Sequence, residues 1–425
     1  MRTEGVLQPA TTRQKKKKLN VKRTAAVAAL LLVFFVGGVL AGAWYFLSRV
    51  YNPVARPEAH NGQAVAPRIN VLVMGLDGGV NGPTRSGTPV HTSRTDTMMV
   101  LSLDPELRSA GILSIPRDTR VKMSGKSGYD KITHAHVYGG PKLALETVQG
   151  LIGEPIPYYV RINFAGFVKL IDMIGGVEMT IDHNMDYDDP YQNLHIHLKA
   201  GKQVLDGEKS LQFVRYRQYP QGDIDRVKAQ QKFLSALMKS FFDMNTLWKL
   251  PSIAREAANH VDTNIEPALV LTLANAARQL GREDVKMDVI PGQPADISDA
   301  TGVAISYWVA DQHALKKMVD LLIRGIDRDA NSKVRVEVVN GTGTAGMGEK
   351  AAKNLRDLGY LVTVTNAEKP NKGPTRVIGA AANSNAVKGI CREVAKFAPQ
   401  ATIYNRAPGE NVDVSILLGV DCNLK

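Results

Sequence analysis

Four short segments of this sequence carry charge where a core-forming pattern would not put it. They are Gly75-Leu76-Asp77, Ser93-Arg94-Thr95-Asp96, Pro116-Arg117-Asp118 and the stretch from Arg215 to Gln231. The first three border short apolar runs, and strand ends are where sites are commonly built. Two neighbouring carboxylates can hold a divalent ion that keeps several waters and takes phosphate oxygens as further ligands, the usual arrangement for magnesium. Asp77 and Asp96 are the candidates. Guanidinium groups present a planar fork of donors matched to phosphate oxygens and stay charged, so converging arginines suit a diphosphate better than lysines would. Arg94, Arg117, Arg215, Arg217 and Arg226 fill that part. Arg226 and Gln230 are four apart and share a helix face, whereas Arg215 and Arg217 share one only on extended or irregular backbone. A lone arginine is usually a solvated ion-pair partner; four charged element ends in one unit shift the balance toward a site.

The elements that must position these residues follow from periodicity. Residues 69 to 76, 97 to 103 and 110 to 115 are apolar runs bounded by Gly, Pro and Asp, which predicts buried strands. Helical spacing follows at 135 to 152 and 164 to 174, then a strand at 177 to 181 and a polar loop holding Asp and His. Two helical stretches cover 206 to 217 and 223 to 242; helices predominate from 245 to 330, with a strand at 285 to 290. From Val334 strands and helices alternate again as a small α/β unit. Asp327 to Ser332 is the expected linker.

The net charge of +12 invites a nucleic-acid reading. Eight basic residues against Glu4 put +7 of it into the first 23 residues, leaving an unremarkable balance elsewhere. Thr24 to Ser48 is 25 residues without a charge, enough to cross a bilayer. The preceding lysines orient it with the N-terminus cytoplasmic and everything after Arg49 outside, and Trp44, Tyr45 and Phe46 suit the headgroup region. Ala41-Gly42-Ala43 has the form of a signal cleavage site, but the run exceeds a typical signal core, which favours a retained anchor. The expected organisation is a basic tail at 1–23, a transmembrane helix at 24–48, a linker at 49–67, a first folded unit at 68–330 and a second at 333–422. Cys391 and Cys422 would pair in an oxidising exterior if they are close in space.

The strings SRTDTMMVLSLDP, ILSIPRDTRV, KITHAHVYGG and FVRYRQYPQGDIDRVKAQQKFL occur in that order, with 21 residues from Asp96 to Arg117. Over residues 68 to 245 they resemble the LytR-CpsA-Psr catalytic domain, and residues 334 to 421 are similar to the LytR C-terminal domain. The resemblance implies an α/β/α sandwich followed by a small α/β domain and preceded by one transmembrane helix. It implies a phosphotransferase that moves an anionic glycopolymer, such as teichoic acid or capsular polysaccharide, from an undecaprenyl pyrophosphate carrier to peptidoglycan at the membrane, with no nucleic-acid partner. By motif position Asp77 and Asp96 would hold magnesium, or manganese in its place. Arg94, Arg117, Arg215, Arg217, Arg226 and Gln230 would bind the pyrophosphate, with Lys131 assisting. An apolar groove for the polyprenyl tail would be lined by helices at 135 to 152, 164 to 174 and 230 to 242. The catalytic set is Asp77, Asp96, Arg94 and Arg117; the proton acceptor stays open among Asp77, Asp96 and Asp223. Arg85 and His91 lie in a long loop after Asp77, where the family commonly places another basic residue, and their role is open too. Competing readings are a non-catalytic envelope regulator or wall-binding protein, and a polyprenyl-pyrophosphate hydrolase.

Other signals point elsewhere. Gly341 to Gly346 spells G-x-G-x-x-G between a strand and a helix, with Glu368 downstream, but a tight turn in a short extracytoplasmic domain is the expected reading. Gly125-Lys126-Ser127 lacks the earlier glycine of a phosphate loop, since position 120 is Arg. His134 and His136 sit two apart on a helix and diverge. His195 and His197 can share a strand face, but with neither Cys nor a nearby carboxylate expected they read as a polar strand edge. Asp186 to Asp189 lacks calcium-loop spacing and reads as a solvated loop.

Overall fold

The computed structural model describes residues 68–76, 94–190, 194–216, 218–219, 229, 232–237, 239–240, 261–277, 279–298, 302–379, 385–405 and 411–424. The apolar stretch 24–48, Asp77, Arg85, His91, Arg217, Asp223, Arg226 and Gln230 lie outside them. Among the described residues no helix is long and apolar enough to cross a membrane.

The first unit opens with β1 (Ile69–Leu76), β2 (Thr95–Asp104) and β3 (Ser109–Ser114), an antiparallel meander. Short strands β4 (Arg120–Val121) and β5 (Asp130–Lys131) pair with each other and lead into helix α1 (Thr133–Ile152). Next come β6 (Tyr158–Asn163), α2 (Phe164–Ile174), β7 (Val177–Ile181), β8 (Met185–Asp189), β9 (Leu194–Leu198), β10 (Gly201–Leu205) and α3 (Gly207–Arg215). After β11 (Val261–Thr263) and α4 (Pro267–Ala277) follow β12 (Val285–Val289), β13 (Gly292–Ser298), β14 (Ala304–Ala310) and α5 (Gln312–Val319), continued by a π-type turn at Asp320–Arg324. The main sheet has the order β11-β6-β1-β2-β3-β12.

Strand alternation assigns each face a cover. Leu72, Met74, Val100 and Leu113 point to one side, where Leu145 and Val148 of α1 and Leu315 and Val319 of α5 fill the core. Leu103 and Ala110 point to the other side, against Leu273 and Ala276 of α4. Helices thus cover both faces of a mixed sheet, in line with the expected α/β class. A separate apolar cluster joins α2, β7 to β10 and α3, with Ile171, Ile196, Phe213 and Phe233 at its centre. Helix α1 is broken at Gly139 and Gly140; Gly140 takes φ 62°, a left-handed conformation that an L side chain resists, and Pro141 restarts the helix.

The structure adds detail to two expectations and corrects a third. In residues 245 to 330 helices predominate among the described residues as expected, and the structure adds to them β11 and the hairpin β13–β14. The Asp- and His-containing stretch after β7 was expected as a loop and is instead the hairpin β8–β9, with Met185, Leu194, Ile196 and Leu198 buried on one face. The segment expected as the linker, Asp327 to Ser332, contains a helical turn, α6 (Arg328–Asn331), capped by the Asp327 side chain accepting from Ala330 N at 2.9 Å.

The second unit contains β15 (Arg335–Asn340), α7 (Met347–Asp357), β16 (Leu361–Asn366), β17 (Arg376–Gly379), α8 (Asn385–Ala395), β18 (Thr402–Asn405) and β19 (Val414–Leu417). Its sheet runs β16-β15-β19-β17-β18 over its own core of Val338, Leu355, Val377, Ile390 and Ile416. Gly341 to Gly346 forms the turn from β15 to α7, with Gly343 and Gly346 at φ 75° and 79°. Both cysteine thiols are free and half-buried, and burial raises the pKa of each. The units meet where Arg392 of α8 donates to Asp104 Oδ2 at 2.6 Å and to Glu106 Oε2 at 2.6 Å. Arg328 adds a bridge, pairing with Asp320 at 3.1 Å and donating to the Asp357 carbonyl.

Candidate functional site

Asp96, Arg117 and Lys131 converge at one end of the main sheet. β1 ends where β2 begins, with Leu76 opposite Thr95, and β6 ends alongside, with Asn163 opposite Leu76. β3 delivers the Pro116-Arg117-Asp118 turn to the same edge.

That turn is held from several directions. Thr119, fully buried, donates from its hydroxyl to Pro116 O at 2.6 Å. The first residues of α1 reach back to it, Thr133 N donating to Arg117 O and Ile132 N to Thr119 O. On its other flank Trp308 N of β14 donates to Asp118 O at 2.9 Å. Thr133 also ties α1 to β2 through its hydroxyl, which donates to Thr95 O at 2.8 Å. Backbone groups thereby fix the Cα positions of Asp96 and Arg117 while both side chains stay partly open to solvent.

Arg117 Nη1 donates to Asp96 Oδ1 at 2.8 Å, with the side chains 31% and 22% exposed. Lys131 Nζ lies 2.8 Å from Asp118 Oδ1, and Asp118 also approaches Arg117 Nε at 3.7 Å. The result is a string of alternating charges, Asp96, Arg117, Asp118 and Lys131, along one rim. Arg94 sits exposed just before β2.

Arg215 closes α3, its guanidinium carbon 4.9 Å from the centre of the Phe164 ring. Phe164 opens α2, whose cap is Asn163, accepting from Gly166 N at 2.8 Å. Because Asn163 pairs with Leu76, this chain of contacts sets Arg215 beside the same strand ends. Among the predicted residues within the described part, Asp96, Arg117 and Lys131 are thus brought together, Arg94 adjoins them, and Arg215 stands on the neighbouring α2–α3 corner.

The sequence reading gave no role to Asp118, Asp130, His134 or Tyr138. Asp130 lies next to Lys131, and its carboxylate meets His134 Nδ1 at 2.8 Å and the Tyr138 hydroxyl at 2.9 Å. Burial pushes the Asp130 carboxyl up, but the Lys131 N–H, His134 and Tyr138 together outweigh it and hold the carboxyl below its ordinary range. Tyr138 moves upward through burial and then through Asp130, with Arg94 opposing. The spacing Asp130, His134, Tyr138 places the latter two on one helix face, a signal available in the sequence. His134 and His136 diverge as expected: the second is buried against Arg161 Nη1 at 3.1 Å, and Arg161 pairs in turn with Asp262.

Fixed arginine and lysine donors beside a carboxylate on a solvent-open rim can bind a phosphorylated group and neutralise charge that develops on it. Described residues supply one carboxylate of the expected metal pair, Asp96, and a site of one or two carboxylates completed by phosphate oxygens suits a magnesium-type ion.

Comparison with known proteins agrees with the motifs. The LytR_cpsA_psr family profile matches residues 49–334, and one described as LytR cell envelope-related transcriptional attenuator matches residues 333–421. Regulatory protein MsrR of Staphylococcus aureus is 32% identical over 226 residues, 53% of this chain and 64% of that protein. The polyisoprenyl-teichoic acid–peptidoglycan teichoic acid transferase TagU of Enterococcus faecalis is 30% identical over 198 residues, 46% of this chain and 61% of that one. The chain therefore spans less than two thirds of the length of these two relatives. Among solved structures, the crystal structure of B. subtilis TagV superposes with a TM-score of 0.51 at 28% identity, covering 61% of this chain and 97% of that one.

Proposed function

The chain belongs to the LytR-CpsA-Psr family, and on that premise we propose that it is a phosphotransferase moving an anionic glycopolymer of the teichoic acid or capsular type from an undecaprenyl pyrophosphate carrier onto peptidoglycan. The observation that carries the reading is the Asp96–Arg117 pair at the strand ends, continued along the rim to Lys131. The transferase named among the relatives supports the same chemistry.

In this reading Arg117, Arg94, Lys131 and Arg215 bind the pyrophosphate, with Arg217, Arg226 and Gln230 completing the set. An acceptor sugar hydroxyl attacks the sugar-side phosphorus. A new O–P bond forms as the bridging P–O bond breaks, and undecaprenyl phosphate leaves. The hydroxyl proton passes to a carboxylate, for which Asp77, Asp96 and Asp223 are the candidates. Phosphoryl transfer needs positioning and charge stabilisation more than covalent help, and fixed guanidinium groups supply both. Asp96, with Asp77, would hold magnesium, which when bound neutralises charge on the phosphate oxygens. An apolar groove lined by the helices of 135–152, 164–174 and 230–242 would take the polyprenyl tail. A chain anchored by residues 24–48, with its folded units outside the cell, would meet both substrates at the membrane.

The test combines the purified full-length chain, magnesium, a lipid-linked glycopolymer and peptidoglycan oligomers. Covalent polymer–peptidoglycan product is the expected result. Free sugar phosphate alone would instead indicate a hydrolase, and absence of both products would favour the regulatory role suggested by the name of the staphylococcal relative.

A further inference from the structure

The β8–β9 hairpin carries a second constellation, separate from the Asp96–Arg117–Lys131 rim. Its antiparallel register sets Asp186 opposite His197 and Asp188 opposite His195. In each strand the alternate residues, Met185, Leu194, Ile196 and Leu198, are buried in the apolar cluster, so the two carboxylates and two imidazoles share the exposed face. The expectation that no carboxylate lies near His195 and His197 is thereby overturned, because pairing across the hairpin brings in the acidic residues of β8.

Four donors at the corners of a two-by-two patch are held by the backbone ladder. One ligand atom each from Asp188, His195 and His197 lies within 4.8 Å of the other two. Ligands of a tetrahedral zinc ion, bound at about 2.0–2.1 Å, stand roughly 3.4 Å apart. Rotamer adjustment of exposed side chains covers that difference without moving the strands. His197 turns its Nε2 toward Asp188 Oδ1 at 3.5 Å, while Asp186 Oδ1 meets Nδ1 on the other side of the ring at 3.2 Å and can orient that imidazole as an outer-shell partner. Two imidazoles select zinc, copper, nickel or cobalt over magnesium or calcium, which prefer all-oxygen sets, and two carboxylates balance the charge of a divalent ion.

We propose that the exposed face of the β8–β9 hairpin binds one divalent transition-metal ion of the zinc class through His195, His197 and Asp188, with water in the remaining position and Asp186 orienting His197. A bound ion would cross-link the two strands and stiffen the wall they form over the apolar cluster. His197 N donates to Gln212 Oε1 at 3.2 Å, so the hairpin is coupled to α3, the helix that ends in Arg215.

The experiment uses the tag-free full-length chain, titrated with Co2+ as a spectroscopic probe and then challenged with Zn2+ or Mg2+. The expected result is one equivalent with visible ligand-field bands, displaced by Zn2+ and untouched by equimolar Mg2+. Replacing both histidines by alanine should weaken binding by at least about 100-fold, since loss of even an outer-shell partner costs 10–100-fold. Asp188→Asn should weaken it less. All these side chains are exposed, so near-ultraviolet circular dichroism should stay unchanged; were the alanine variant to misfold, the His195→Gln, His197→Gln variant takes its place. No Co2+ bands in the parent chain, undiminished affinity in a folded double variant, or displacement by Mg2+ as readily as by Zn2+ would each overturn the proposal.

Discussion

Strand β2 ends in an ion pair on each side, and the two pairs differ in nearly everything but composition. At one end Asp96 meets Arg117, both partly exposed, on a rim that continues to Lys131. At the other end Asp104 is fully buried, accepts from Glu106 N and Leu107 N, and takes two donors from Arg392 of the second unit. Asp104 thus has its acceptor capacity met by the protein, which is how a buried carboxylate remains tolerable. Asp96 faces solvent and can exchange partners. An aspartate at a strand end is therefore not a site by virtue of position; what separates the two is whether the carboxylate is sealed from solvent among its donors or stays partly accessible.

The largest expected effect is on turnover at the open end. Arg117→Ala should reduce transfer by at least about 10²–10³-fold, the range for loss of one oxyanion donor, and Asp96→Ala by about 10²–10⁴-fold, the range for loss of a proton-accepting group, each with a thermal midpoint close to that of the parent chain. Steady-state transfer assays beside thermal unfolding would check both halves, and retained activity in the two variants would remove the site assignment.

At the closed end the effect should fall on stability. Arg392→Ala leaves a buried Asp104 without its partner, for which about 3–5 kcal/mol is the usual cost. Urea unfolding should show the docking of the second unit weakened, while the folded protein keeps its transfer rate. A proportional fall in that rate at saturating substrate would mean that the two ends are coupled.

The smallest effect concerns Asp130, which borders the open rim. Its folded-state pKa is depressed, so the stability it contributes is present above the unfolded value of about 3.9 and is lost as pH falls through the lower folded value. Asp130→Asn should cost no more than about 1 kcal/mol near neutrality. The gap from the parent chain should close in acid; a gap that widens below pH 4 would contradict the assigned direction.

Much of the sheet was legible because β1, β2 and β3 are apolar runs with charged punctuation, Asp96 opening the second and Arg117 following the third. What the sequence hid was long-range pairing. Arg392 lies 288 residues from Asp104, and no local period announces such a partner. The β8–β9 hairpin was missed for another reason: Asp is a poor strand former, so MDYDD reads as loop until Leu194 to Leu198 supplies the apolar half of the alternation. The Thr119, Thr133 and Trp308 contacts that hold the Arg117 turn are likewise tertiary, and sequence could name the arginine without saying what fixes it.

The order of the main sheet also bears on how the chain is made. β1, β2 and β3 can pair as soon as they emerge, since short turns link β2 to β3 and pairing proceeds between neighbours. The outer edge of β3, however, is closed only by β12, which arrives after the helices and hairpins between them have been synthesised. Until then β3 presents unpaired N–H and C=O groups, a template for pairing with another chain. A nascent or prematurely ended product that stops before Val285 would carry that open edge, making self-association the expected failure of incomplete chains.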